Sequence, residues 1–142
     1  MTYQGVLELP TARVRWVHGA VARFMIVVAT ALTHLPPYRI RQILMVVRRG
    51  AHPASHESAV AARNAVVAIS MRCAGRDGCL VRSLSTVLLC RFFGQWPTWC
   101  IGVQNLPPFG AHAWVEAEGK LVNELVPYDY LSRLIVVPPI EQ

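Results

Sequence analysis

Cys79 follows the stretch Ala74-Gly75-Arg76-Asp77-Gly78, whose Gly and Asp residues signal a turn. It opens a run to Phe93 in which Leu80, Leu84, Val87 and Leu88 form one helical stripe and Val81, Leu89, Phe92 and Phe93 fill further faces. The pattern predicts a helix buried on most sides, with Cys79 at its start. A helix N-terminus presents free amide groups and a partial positive charge, both of which favour a thiolate. The same amides can donate to an oxyanion formed beside the sulfur. His112 begins a predicted strand in Gly110-Ala-His-Ala-Trp-Val-Glu116, where alternation puts His112, Trp114 and Glu116 on one face and lets Trp114 pack beside the imidazole. A hairpin turning at Glu118-Gly119 brings Asn123 and Glu124 opposite residues 112–114, within about a residue or two of register. A carboxylate or amide there can hold the imidazole in the tautomer a general base needs. Each residue also has a plainer reading: Cys79 as a small buried hydrophobe, His112 as a half-buried strand histidine, Glu124 as a solvent-facing carboxylate. The order is what points to nucleophilic thiol catalysis: a thiol at a helix start, an imidazole on a strand, then an acid or amide on its hairpin partner.

The elements that must position these groups change character part-way along the chain. Residues 10–34 read as a helix, with Pro10 in its first turn and apolar residues at helical spacing from Val14 to Val28. Arg39 to Arg49 reads as a second helix closed by Gly50, residues 51–55 as a loop, and Ser55 as the N-cap of a third helix over 57–73. After Gly94 the period switches from helix to strand. Strands are expected at Trp99 to Gln104, Ala111 to Glu116, Leu121 to Leu125 and Leu134 to Val137, with a turn at Pro127-Tyr128-Asp129. Helices first and an antiparallel sheet after make an α+β fold. The length of 142 residues suits a single domain over 1–142, with a helical subdomain at 1–74 and a catalytic core at 75–142.

Composition narrows the function classes. At 54% hydrophobic and 15% charged residues the chain has enough apolar surface to fold, which excludes disorder. A mean hydropathy of +0.35 leaves open a membrane-surface habit or a hydrophobic docking face. The most apolar run, Val21 to Leu35, is too short for a span and carries Arg23 and His34; with no signal peptide, a cytoplasmic location is expected. The net charge of +6 is concentrated in the first half, where seven Arg (13, 15, 23, 39, 41, 48 and 49) face Glu8 and Glu57. A basic face of that kind suits an acidic peptide or anionic lipid as well as plain solvation, and no nucleic-acid-binding motif accompanies it. Cys73, Cys79, Cys90 and Cys100 form no C-x-x-C pair, and Pro53 breaks the spacing of His52 and His56, so no metal site is expected.

Gly78-Cys79-Leu80-Val81-Arg82-Ser83-Leu84, then Gly102-Val103, Pro108-Phe109, Ala111-His112-Ala113-Trp114-Val115-Glu116 and Val122-Asn123-Glu124, resembles the B proteins of lasso-peptide biosynthesis, which are transglutaminase-like cysteine proteases. The resemblance is close over about 75–135 and looser in the helical half. It implies a nucleophile helix packed on an antiparallel sheet and a Cys-His-Asp triad in which Cys79 and His112 match the first two members. Glu124 occupies the usual aspartate position, with Asn123 and then Asp129 as fallbacks. Arg82 matches the family motif one helical turn from Cys79, where it faces the site or serves as a structural ion-pair donor. The implied reaction is hydrolysis of the bond between leader and core of a precursor peptide, with no metal or organic cofactor. The implied partners are that precursor, a separate lasso cyclase and, because the first 74 residues read as helices without a leader-recognition module, a separate RiPP recognition element protein. The basic N-terminal helices are the expected docking surface.

Overall fold

The computed structural model describes residues 12–70, 73, 78–105, 107, 109–123 and 127–140. Three helices lead: α1 (Ala12–Leu32), α2 (Pro37–Val47) and α3 (His56–Ile69). Pro37 sits in the first turn of α2, where its missing N–H costs nothing. Ser55 caps α3 as the sequence predicts, its Oγ accepting the Ser58 amide at 3.1 Å. That helix ends at Ile69 rather than at 73. Ser70 turns extended (φ −122°, ψ 118°), and its hydroxyl accepts the Cys73 amide, so a serine side chain takes over a bond the helix would otherwise make.

The α4 helix (Cys79–Phe92) is the spine of the molecule: every residue from Ser83 to Cys90 is buried. It packs against α1, α3 and the sheet. Gly94, at φ +81°, ends the turn that follows, in a conformation with no cost for glycine. The expected loop at 51–55 contains a short strand, β1 (His52–Pro53), paired in parallel with β2 (Gln95–Trp96) and tying the helical half to the region after α4.

The main sheet is antiparallel, in the order β5-β4-β3-β6, with β3 at Thr98–Gln104, β4 at Gly110–Ala117, β5 at Lys120–Leu121 and β6 at Leu131–Val137. A 3-10 turn, Tyr128–Tyr130, leads into β6, which begins three residues earlier than expected. Helices before an antiparallel sheet give the expected α+β fold. One face of the sheet, with Trp99, Val115, Ala117 and Val137, joins Val81, Leu84, Val87 and Leu88 in the main core. The opposite face has a small second core of Cys100, Trp114 and Leu131. Trp99 fastens the two layers, its Nε1 donating to Ser83 Oγ at 3.0 Å. No helix among the described residues is long and apolar enough to cross a membrane.

Two departures from regular pairing shape the sheet. The register between β3 and β6 shifts at Ile101/Gly102, where Ile101 opposes Ile135 but Gly102 opposes Arg133, so Leu134 is an extra residue and stands 70% exposed. Such a bulge re-aims the residues beside it. The second departure is the length of β5, which was expected to run over Leu121–Leu125 and instead ends at Leu121. Asn123 adopts a left-handed φ of +49°, which interrupts regular pairing, and Glu124 and Leu125 lie outside the described residues.

Candidate active site

Cys79 occupies the first position of α4, and its thiol is half-buried and hydrogen-bonded to His112 of β4. A second bond comes from the Ala113 amide. The short β5 explains why that amide is available. The Val122 amide donates to the Val115 carbonyl, so Val115 and, two residues earlier, Ala113 turn their backbone groups to the outer edge of β4. Had β5 continued as expected, it would have covered this edge.

Burial pushes the Cys79 thiol up, but the bonds from His112 and Ala113, with the charges of His112 and Arg82, outweigh it and hold the pKa below the ordinary thiol value. Gly78, the N-cap, offers no side-chain acceptor to the first-turn amides of α4. Those amides suit an oxyanion formed next to the sulfur.

The Cys-Leu-x-Arg-Ser motif now has a physical account. Arg82 donates from Nη1 to the Cys73 carbonyl at 2.9 Å, anchoring the approach to α4 while adding positive potential at Cys79. Ser83 accepts from Trp99 and donates to the Leu80 carbonyl at 3.0 Å, which pins the first turn of α4 to β3. The sequence offered Arg82 as facing the site or as a structural ion-pair donor; the bond seen here goes to a backbone carbonyl, and the guanidinium charge acts on Cys79.

His112 stacks on Trp114, with ring centroids 5.8 Å apart and planes 18° from parallel. Trp114 is fully buried, and its Nε1 donates to Glu116 Oε2 at 2.8 Å. Glu116, 2% exposed, also pairs with Arg133 of β6 and accepts from Cys100 Sγ at 3.6 Å. Arg133 in turn donates to the Tyr128 hydroxyl at 2.6 Å. The sequence placed His112, Trp114 and Glu116 on one face but missed what Glu116 and Arg133 do there. The only signal was a carboxylate in an otherwise apolar strand pattern.

Of the remaining candidates, Asn123 donates its side-chain amide to Asn64 of α3 at 3.3 Å, so that nitrogen is committed to the helix. Asp129 lies exposed on the 3-10 turn. Glu124 lies outside the described residues, as does the turn at Ala74 to Asp77. A cavity of about 260 Å³ between α3 and the far end of α4 is lined by Ala61, Ala65, Leu89, Cys90 and Phe93, well away from Cys79 and His112. Ser58 and Gln95 are its other polar lining residues beside Cys90, and neither Cys79 nor His112 lines it.

A thiol at a helix start, bonded to a strand imidazole of an antiparallel sheet, is this fold's chemical signature, and the family model of the Transglutaminase-like superfamily matches residues 22–136. The chain belongs to the transglutaminase-like superfamily. That superfamily includes cysteine peptidases and acyl transferases. The matched region takes in the second half of α1 and all of α2 and α3, so the transglutaminase-like unit here extends well beyond the nucleophile helix and the sheet. No curated protein and no solved structure matches the chain.

Proposed function

We propose that this transglutaminase-like protein is a cysteine peptidase that removes the leader from a lasso-peptide precursor. The observation that carries the chemistry is the Cys79–His112 hydrogen bond at the uncapped start of α4. The choice of substrate rests on the resemblance of the Cys79–Leu84 and Ala111–Glu116 segments to the lasso-peptide B proteins.

Cys79 attacks the scissile carbonyl, forming a C–S bond as the carbonyl oxygen takes negative charge facing the amides of α4. His112 holds the thiol proton and passes it to the leaving amine as the C–N bond breaks, leaving a thioester. Water then attacks the thioester with His112 as base, and the carboxylate product leaves as the Cys79 thiol reforms. Glu124 orients His112 in this scheme, and Trp114 shields it from solvent. No metal or organic cofactor enters these steps. Ring closure of the core belongs to a separate cyclase, and leader capture to a separate RiPP recognition element protein.

The test is to incubate the chain with a leader–core precursor and its recognition protein and weigh the products. Release of leader and core whose summed mass exceeds the precursor by one water, lost in Cys79→Ala, is expected. Joining of the acyl fragment to an added amine, with no water gained, would make the protein an acyl transferase. No Cys79-dependent product at all would remove the enzymatic reading.

A further inference from the structure

The Glu116–Arg133 pair is too deliberately built to be only core filling. A buried carboxylate is costly unless paired and hydrogen-bonded, and Glu116 has three partners drawn from three of the sheet's four strands: Trp114 on β4, Cys100 on β3 and Arg133 on β6. Arg133 reaches it only because of the β6 bulge. Ile135 and Val137 pack into the helix-side core, so unbroken alternation would aim Arg133 there too, where a charge has no partner. The extra residue, Leu134, flips Arg133 to the opposite face. Gly102, which opposes both His112 and Arg133, makes room for this: a Cβ there would lie 1.9 Å from the Ser132 carbonyl oxygen and 2.9 Å from the Trp114 ring.

We propose that Glu116, held by Arg133, is a positioning residue that sets the plane of His112 through the Trp114 indole. The proposal rests on the Cys79–His112 reading. Glu116 never meets substrate. It fixes the rotation of the indole through Nε1, and the stacked indole fixes the imidazole and presents its negative face to the imidazolium that forms when Cys79 ionises. A loosened indole therefore weakens the thiolate–imidazolium pair while leaving the sulfur in place. The charged and titratable groups facing this chain are Cys79 and Arg82 on α4, Arg63 on α3, Arg133 on β6, Cys100 on β3 and Tyr128 on the 3-10 turn.

Alkylation of Cys79 by iodoacetamide across pH 5 to 10 reads the pair without any substrate. Wild type, His112→Ala, Trp114→Phe and Glu116→Gln are compared, each checked for fold by circular dichroism. Trp114→Phe keeps an aromatic ring for stacking and removes the anchoring N–H together with part of the buried indole. Glu116→Gln keeps the shape but cannot serve Trp114 and Arg133 equally. Both are expected to lower the Cys79 rate at pH 6 by about three- to ten-fold and to leave the rate at pH 10, where the thiolate forms without help, unchanged. A merely structural role lowers the melting temperature and leaves the profile in place. Should Glu116→Gln fail to fold, Trp114→Phe decides alone. A profile shifted by His112→Ala but not by the other two variants overturns the positioning role and leaves the pair standing. A profile that even His112→Ala leaves unmoved removes the pair, and the positioning role with it.

Discussion

Cys79 and Cys90 stand on the same helix, near opposite ends of α4, and their thiols are pushed in opposite directions. Cys90 is 3% exposed, and burial alone drives its pKa up to about 12. Cys79 is also penalised by burial, yet its pKa falls below the ordinary value because His112, the Ala113 amide and Arg82 act against that penalty. The surroundings differ in kind. At the start of α4 the sheet supplies a backbone amide and an imidazole that bond the thiol; at the end, Cys90 lines a cavity beside Ala61, Ala65, Leu89 and Phe93 and burial alone acts on it. The lowering at Cys79 comes from the sheet edge that meets the helix start.

The sharpest way to break this contrast is to exchange the roles. Cys79→Ala is expected to lower precursor cleavage by at least about 10³-fold, while Cys90→Ala leaves it within a few-fold of wild type, both read by chromatography of the products. His112→Ala should match Cys79→Ala, and the double variant should be no worse than either, because the two groups act as one unit. A double variant slower by a further full factor would show that they act independently.

The contrast also depends on the sheet being held at the right distance. Gly102→Ala is expected to cost about 3 kcal/mol or more in chemical denaturation, since Ser132 backbone and the Trp114 ring must both move. If the variant is as stable as wild type, β6 does not approach β3 as closely as described.

Much of this arrangement was legible in the sequence. The buried stripe after Gly78 located α4 and its first residue, and strand alternation put Trp114 beside His112. Ser55 announced the start of α3, because capping is a local interaction. What could not be read depends on partners distant in the chain. Regular pairing beyond β5 is interrupted by the backbone of one residue, Asn123, and the bulge at Leu134 arises from pairing between β3 and β6, neither of which leaves a periodic trace. Ser70 stopped α3 early through a bond to Cys73 that competes with an otherwise continuous helical pattern. The basic N-terminal half, too, divides only on inspection of contacts: Arg48 donates to the Pro138 carbonyl at 2.6 Å, whereas Arg39 and Arg41 are exposed.

Smaller effects sharpen the account. Glu124→Gln should lower turnover more than substrate affinity, and Glu124→Asp should keep substantial activity; a crippled Asn123→Ala beside a silent Glu124→Ala would transfer the orienting role to Asn123. A recognition protein that delivers the leader should speed cleavage through effective concentration, and Arg39→Glu with Arg41→Glu should slow that partner-dependent rate by a few-fold and flatten its salt dependence, leaving the partner-free rate unchanged. A separate effect is on stability against pH. Cys90 and Cys100, both raised to about 12, stay protonated in the fold while the unfolded chain ionises near about 8.5. Their contribution is whole below that pH and is lost as pH rises towards 12, by up to about 1.4 kcal/mol per thiol per pH unit. Cys90→Ala should therefore lose less stability between pH 8 and 10 than wild type, as read by thermal melting.

The comparison between the two cysteines can be measured directly. Native protein at pH 7 is treated with a limiting pulse of iodoacetamide, and the label on each cysteine is counted by peptide mass in wild type and His112→Ala. Cys79 is expected to label at least about a hundred-fold faster than Cys90 in wild type, and His112→Ala to remove most of that advantage without changing Cys90. Equal labelling of the two thiols, or a Cys79 rate indifferent to His112, would contradict that expectation.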